Sequence, residues 1–164
     1  MLISRVTESF QKEAQEKMIK YIVDVEFHLP SFSFDEKYLG EALSNLLSNS
    51  MKFTSQGGTI QITAKQKHGN AHISIADTGA GIPKDKQHKL FNKFSQIEDA
   101  SASVGKGLGL YLARGIVEAH GGTVDIDSDR GRGTTISITL PMHETSHHLN
   151  TKSTNSDPTQ NMVN

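Results

Sequence analysis

Asn45 and Asn49 stand four residues apart, with Lys52 three residues further on. On a helix turning about 100° per residue, Glu41, Asn45, Asn49 and Lys52 share one narrow polar stripe. Asn is a mediocre helix former, so two of them on one face are a costlier choice than Lys, Glu or Gln. Such a stripe offers amide oxygens to a hard cation and an ammonium to phosphate. The plain alternative is a solvated helix face, and the stripe alone does not decide.

Two glycine clusters raise the same question. Asp77-Thr78-Gly79-Ala80-Gly81-Ile82-Pro83 follows an alternating apolar run, so it sits where a strand ends. The glycines leave room for a flat group against the main chain, and the carboxylate accepts from an exocyclic amine. Gly105-Lys106-Gly107-Leu108-Gly109 opens a helical pattern, where amides and the helix dipole favour an anion and Lys106 adds charge. Taken singly, the first could be an ordinary turn and the second a flexible hinge. Other nucleotide motifs fail: Lys106 is followed by Gly, against the Walker pattern, and Leu112 stands where a dinucleotide fingerprint needs its third glycine.

The elements that must position these residues follow from periodicity. Ile3, Val6, Phe10, Ala14 and Met18 predict a helix over residues 2–19, and Tyr21, Val23, Val25 and Phe27 a half-buried strand. Asp35 caps a helix to Thr54 whose other face carries Leu39, Leu43, Leu46, Leu47 and Met51. A hairpin spans residues 59–75, and a short helix runs from Pro83 to about Phe91. Residues 95–105 read as a mobile loop. A helix over residues 107–120 turns Leu108, Leu112, Ile116 and Val117 inward, ends at Gly121-Gly122, and leads to a hairpin ending at Leu140. This order predicts an α+β fold, a layer of helices on one face of a mixed sheet. The folded domain is expected over residues 1–141 and a polar, disordered tail or linker over 142–164.

The chain has 164 residues, 35% hydrophobic, with a formal net charge of −1 and no Cys. That is enough for one domain, excludes disulfides and thiolate metal sites, and argues against nucleic acid or anionic membrane as partners. No apolar run approaches a membrane span and the start lacks a signal-peptide pattern, so the expected location is the cytoplasm, with a membrane-anchored parent protein left open.

Taken together, NLLSNSMKFT, DTGAGIP, LFNKFSQ and GKGLGL, with a helix ending in HGG, resemble in order the N, G1, F and G2 boxes of sensor histidine kinases. The match covers roughly Lys20 to Pro141. The resemblance implies the Bergerat fold of the GHKL superfamily, a two-layer α/β sandwich, with ATP and Mg²⁺ as cofactors. It also implies site roles: Asn49 for Mg²⁺, Asn45 beside it, and Lys52 for phosphate. Asp77 would read the adenine amine, with Gly79, Gly81 and Ile82 shaping that pocket and Phe91 and Phe94 beneath the ATP lid. Gly105, Lys106, Gly107, Leu108 and Gly109 would lie on the phosphate side.

The implied activity is transfer of the γ-phosphoryl group to a histidine on a dimerisation/phosphoacceptor domain, with a response-regulator receiver domain downstream. The alternatives are a GHKL-type ATPase and a non-catalytic nucleotide sensor. Related ATPases carry Glu at position 45; Asn45 cannot act as a base, which favours phosphotransfer over hydrolysis. Glu41 reads as a surface residue. The chain departs from the family in lacking a phosphoacceptor box, in having Lys106 where Thr or Ser is usual, and in a lid without Arg or Lys before it. Lys106 is therefore expected to take over the missing phosphate contact.

Overall fold

A computed structural model describes residues 2–26, 34–88, 90–91 and 108–142. The elements are α1 (Leu2–Glu16), β1 (Lys20–Val25), α2 (Glu36–Phe53), β2 (Thr59–Lys67), β3 (Asn70–Asp77), α3 (Lys84–Gln87), α4 (Gly109–Ala119), β4 (Thr123–Asp129) and β5 (Gly133–Pro141). The strands form one mixed sheet in the order β1-β2-β3-β5-β4. β1 pairs with β2 in parallel and every other pairing is antiparallel. The expected α+β layering is the one observed.

Register pairs Ile62 and Ala64 of β2 with Ile75 and Ile73 of β3, and Ile75, Ile73 and Ala71 in turn with Ile136, Ile138 and Leu140 of β5; Ile60 of β2 lies on the same face, opposite Asp77. These nine apolar side chains are buried against Leu39, Leu43, Leu46, Leu47 and Met51 of α2 and Ala113 and Val117 of α4. Burying a Leu, Ile or Val contributes roughly 1.5–3 kcal/mol, so this layer holds α2 on the sheet. Between the helices and the far face the strands alternate; Thr63, Ser74 and Ser137 lie outward in one row.

The N-terminal end of α2 is fixed. Asp35 accepts from the Lys37 and Tyr38 amides at 3.0 and 3.1 Å, a side-chain cap. α1 crosses it closely: a Cβ on Gly40 would lie 3.3 Å from Leu2 Cδ1.

Three expectations need correction. Met18 is 66% exposed because α1 stops at Glu16. Its φ of 53° makes it the left-handed residue of a Schellman turn, in which the Ile19 amide reaches Ala14 O at 2.8 Å and Ile19, not Met18, enters the core. Leu112 is 41% exposed; Ala113 and Val117 form the inward ridge of α4, with Leu110 and Ile116 beside it. The helix expected from Pro83 to Phe91 is the single turn α3, whose following residue His88 closes back on Lys86 O.

Candidate functional site

α2 and α4 run antiparallel. The last turn of α4 comes to the start of α2, where His120 meets Asp35, and its first residue, Gly109, meets the middle. An ideal Cβ on Gly109 would lie 3.7 Å from Cβ and Oδ1 of Asn45 and 3.7 Å from Nδ2 of Asn49. The two Asn and the amide end of α4 therefore face one another. Asn45 and Asn49 are half-buried, while Glu41 and Lys52 are exposed on the same stripe. Asn45 Nδ2 is buried without a hydrogen-bond partner among the described residues. Lys52 Nζ lies 5.2 Å from the centroid of the Phe53 ring, which is itself half exposed.

Asp77 ends β3 beside Thr134 of β5. Its Oδ1 accepts the Gly79 amide at 2.9 Å and its Oδ2 the Ser50 hydroxyl at 3.2 Å. Burial raises the carboxyl above its ordinary range, and the hydrogen bonds from Gly79, Ser50 and Thr134 act the other way. Asn49 and Ser50 are neighbours on α2, so this bond fixes the Asn stripe relative to the end of β3.

The segment after Asp77 is held from two sides. The Thr78 amide donates to Thr59 O at 3.0 Å, and Thr78 Oγ1 accepts the Thr59 amide at 2.9 Å. On the other side the Gly131 amide reaches Ala80 O at 2.7 Å and the Ile82 amide reaches Ser128 Oγ at 2.8 Å. Two glycines permit the approach. A Cβ on Gly79 would sit 2.5 Å from Phe53 O, and one on Gly81 (φ 66°) 1.9 Å from Asp129 O. Gln87 of α3 closes the arrangement by donating to both Ile82 O and Ser128 O.

Among the expected site residues, the structure thus brings Asn45, Asn49 and Gly109 together, and joins them through Ser50 to Asp77 and Gly79. Gly81 and Ile82 continue from there, and Leu108, half-buried, precedes α4. Phe91 lies against α4, with the Arg114 guanidinium carbon 5.3 Å from its ring centroid. Phe94, Gly105, Lys106 and Gly107 lie outside the described residues. Ser128 and Gln87 lie outside every motif, and Ser50, though inside NLLSNSMKFT, was given no role there; each acts through a partner far away in the chain.

Residues 34–144, more than half of the chain, match the family described as histidine kinase-, DNA gyrase B-, and HSP90-like ATPase. The chain belongs to that family. The adaptive-response sensory kinase SasA of Synechococcus elongatus is 36% identical over 143 residues, covering 87% of this chain and 37% of its own length. The structure of full-length ShkA in complex with AMPPNP superposes with a TM-score of 0.76 at 32% identity, over 86% of this chain and 29% of that one. The mycobacterial sensor histidine kinase MprB gives a TM-score of 0.74 at 30% identity, over 86% of this chain and 96% of that one. The domain is thus an ATP-binding domain of the sensor histidine kinase type. It spans well under half the length of the SasA and ShkA chains. No helix among the described residues is long and apolar enough to cross a membrane.

Proposed function

We propose that this domain binds Mg-ATP and transfers the γ-phosphoryl group to a histidine on a partner dimerisation/phosphoacceptor domain, upstream of a receiver domain, on the cytoplasmic side of its pathway. One observation carries the reading: Asn45 and Asn49 face the first residue of α4 while the neighbouring Ser50 holds Asp77. The residues proposed for cation and phosphate are thus neighbours, and one hydrogen bond links them to the residue proposed for the base. Similarity to sensor kinases, one of them solved with AMPPNP, supports the same reading.

The donor set suits Mg²⁺. Neutral amide oxygens are weak ligands, appropriate to an ion that keeps phosphate oxygens and water in its shell. Asn49 would hold it, with Asn45 alongside; bound there, the ion would neutralise charge on the phosphates. The helix N-terminus at Gly109 favours the same anion, and Lys52, in the last turn of α2, would add positive charge. Asp77 would accept the adenine amine, with Gly79, Gly81 and Ile82 shaping the floor. With Asn45 in place of a carboxylate, no base is present on α2 at that position to activate water, and the γ-phosphoryl group is kept for the histidine.

The test uses γ-labelled ATP, Mg²⁺ and a separately purified dimerisation domain containing its phosphoacceptor histidine. Acid-labile, alkali-stable label should appear on the added domain and none on this chain. Rapid hydrolysis without the partner would favour an ATPase instead. Nucleotide binding with neither reaction would mark a sensing domain.

A further inference from the structure

We propose that Ser50 is a positioning residue for base recognition: its buried hydroxyl holds the Asp77 carboxylate as an acceptor for the exocyclic amine of a purine. This rests on the assignment of Asp77 to the base and goes beyond it by naming what keeps that carboxylate selective.

Ser50 is 4% exposed, on the side of α2 that otherwise presents Leu43, Leu46, Leu47 and Met51 to the core. A hydroxyl among leucines needs a partner. Serines within helices commonly bond back to the carbonyl one turn earlier. This one reaches across to the sheet and donates to Asp77 Oδ2 at 3.2 Å. With Gly79 N–H on Oδ1 and a further hydrogen bond from the Thr134 backbone, both carboxylate oxygens are held, and Ser50 is the side-chain donor that fixes Oδ2.

The chemistry of selection follows. An ionised carboxylate only accepts; it takes the amine of adenine and opposes the carbonyl that hypoxanthine carries at the same place. A neutral carboxyl also donates and tolerates either. Burial drives Asp77 towards the neutral form, and the Ser50 hydroxyl, whose hydrogen bond strengthens an ionised acceptor, opposes it. The other groups bordering Asp77 are Thr134 of β5, and Asp127, Asp129 and Arg132 around the β4–β5 turn, which share one depression with it. These are unchanged by substitution at position 50, so a shifted profile reports the serine.

The test compares the parent chain with Ser50→Ala, Ser50→Cys, Ser50→Thr and Asp77→Asn, titrating each with ADP and inosine diphosphate by calorimetry from neutral to acidic pH. Ser50→Ala should weaken ADP by about three- to tenfold, weaken inosine diphosphate less, and move the acid midpoint of ADP binding upward. Ser50→Cys, close in size but a poor donor, should follow Ala and serves if the Ala chain folds badly. Ser50→Thr should restore the parent preference. Loss of ADP affinity in Asp77→Asn, with parent-like base preference and acid midpoint in both Ser50→Ala and Ser50→Cys, overturns the role of Ser50 alone. Unchanged ADP affinity in Asp77→Asn overturns the base assignment and this proposal with it.

Discussion

The Nε2 atom of His120 accepts the backbone N–H of Asp35 at 3.1 Å, joining the end of α4 to the cap of α2. The bond settles the tautomer. Nε2 must be unprotonated to accept, so Nδ1 carries the hydrogen and donates to Ile116 O at 2.7 Å. Gly121 (φ 72°) and Gly122 complete the turn by donating to Glu118 O and Val117 O. The HGG end of α4 thereby sets where α4 lies along α2, and with it the distance from Gly109 to the two asparagines.

His120→Ala removes one cross-helix hydrogen bond and one local one. A net hydrogen bond contributes roughly 0.5–1.5 kcal/mol, so unfolding free energy should fall by about 1–3 kcal/mol, read as a lower midpoint in urea with an unchanged slope. An unaltered midpoint would show that the contact does not hold the helices.

Gly81→Ala places a Cβ 1.9 Å from Asp129 O at a φ of 66°. Neither strain relaxes unless the segment after Asp77 leaves the β4–β5 turn and breaks the Ala80 and Ile82 hydrogen bonds. Destabilisation of about 2–4 kcal/mol is expected, with loss of nucleotide binding. Gly57→Ala is the control, because its Cβ meets nothing within 4 Å although φ is 78°; that change should cost about 1–2 kcal/mol, from the left-handed backbone alone.

The layer architecture was legible because its period is strong: the five residues of α2 expected inward, Leu39, Leu43, Leu46, Leu47 and Met51, are all buried, and the central strands alternate as the residue types predict. Where a conformational choice at a single residue intervened, periodicity misled. It carried Met18 into α1 because it cannot see a left-handed turn at a non-glycine residue. It turned Leu112 inward because Leu112 lies one turn from Leu108 and Ile116, whereas the buried ridge runs through Ala113 and Val117. At the site, Asn45, Asn49, Asp77 and the glycines were recognisable by type and spacing. Ser50 stands inside the NLLSNSMKFT stretch, but its role was not recognisable, since a serine on the apolar side of a helix shows its use only when its partner, 27 residues away, is brought beside it.

Asp77→Asn should separate stability from binding. Burial raises the folded-state pKa of Asp77 above its unfolded value, so the folded chain binds the proton more tightly. This group's contribution therefore disfavours the fold above the raised pKa and is relieved as pH falls through it towards the ordinary value. An amide has no such penalty, and the apo Asn variant should be at least as heat-stable as the parent at neutral pH. Its affinity for ADP and ATP should drop alike, by about 1.5–3 kcal/mol or ten- to a hundredfold. Equal affinity for both nucleotides before and after the change would remove Asp77 from the base site.

Asn45→Ala and Asn49→Ala should differ in kind. Asn45 Nδ2 is buried without a partner among the described residues, a cost that a stabilised fold would not retain without use. Removing it relieves an unsatisfied donor and installs the best helix former, so apo stability should rise by about 0.5–2 kcal/mol while phosphotransfer falls. Asn49→Ala should act through the cation. ATP affinity measured without Mg²⁺ should stay near the parent value, and the gain that Mg²⁺ brings should shrink. The paired titrations, each with and without Mg²⁺, separate the two roles. A Mg²⁺-dependent gain that survives intact in Asn49→Ala would place the ion elsewhere, and a less stable Asn45→Ala chain would show that this amide supports the fold.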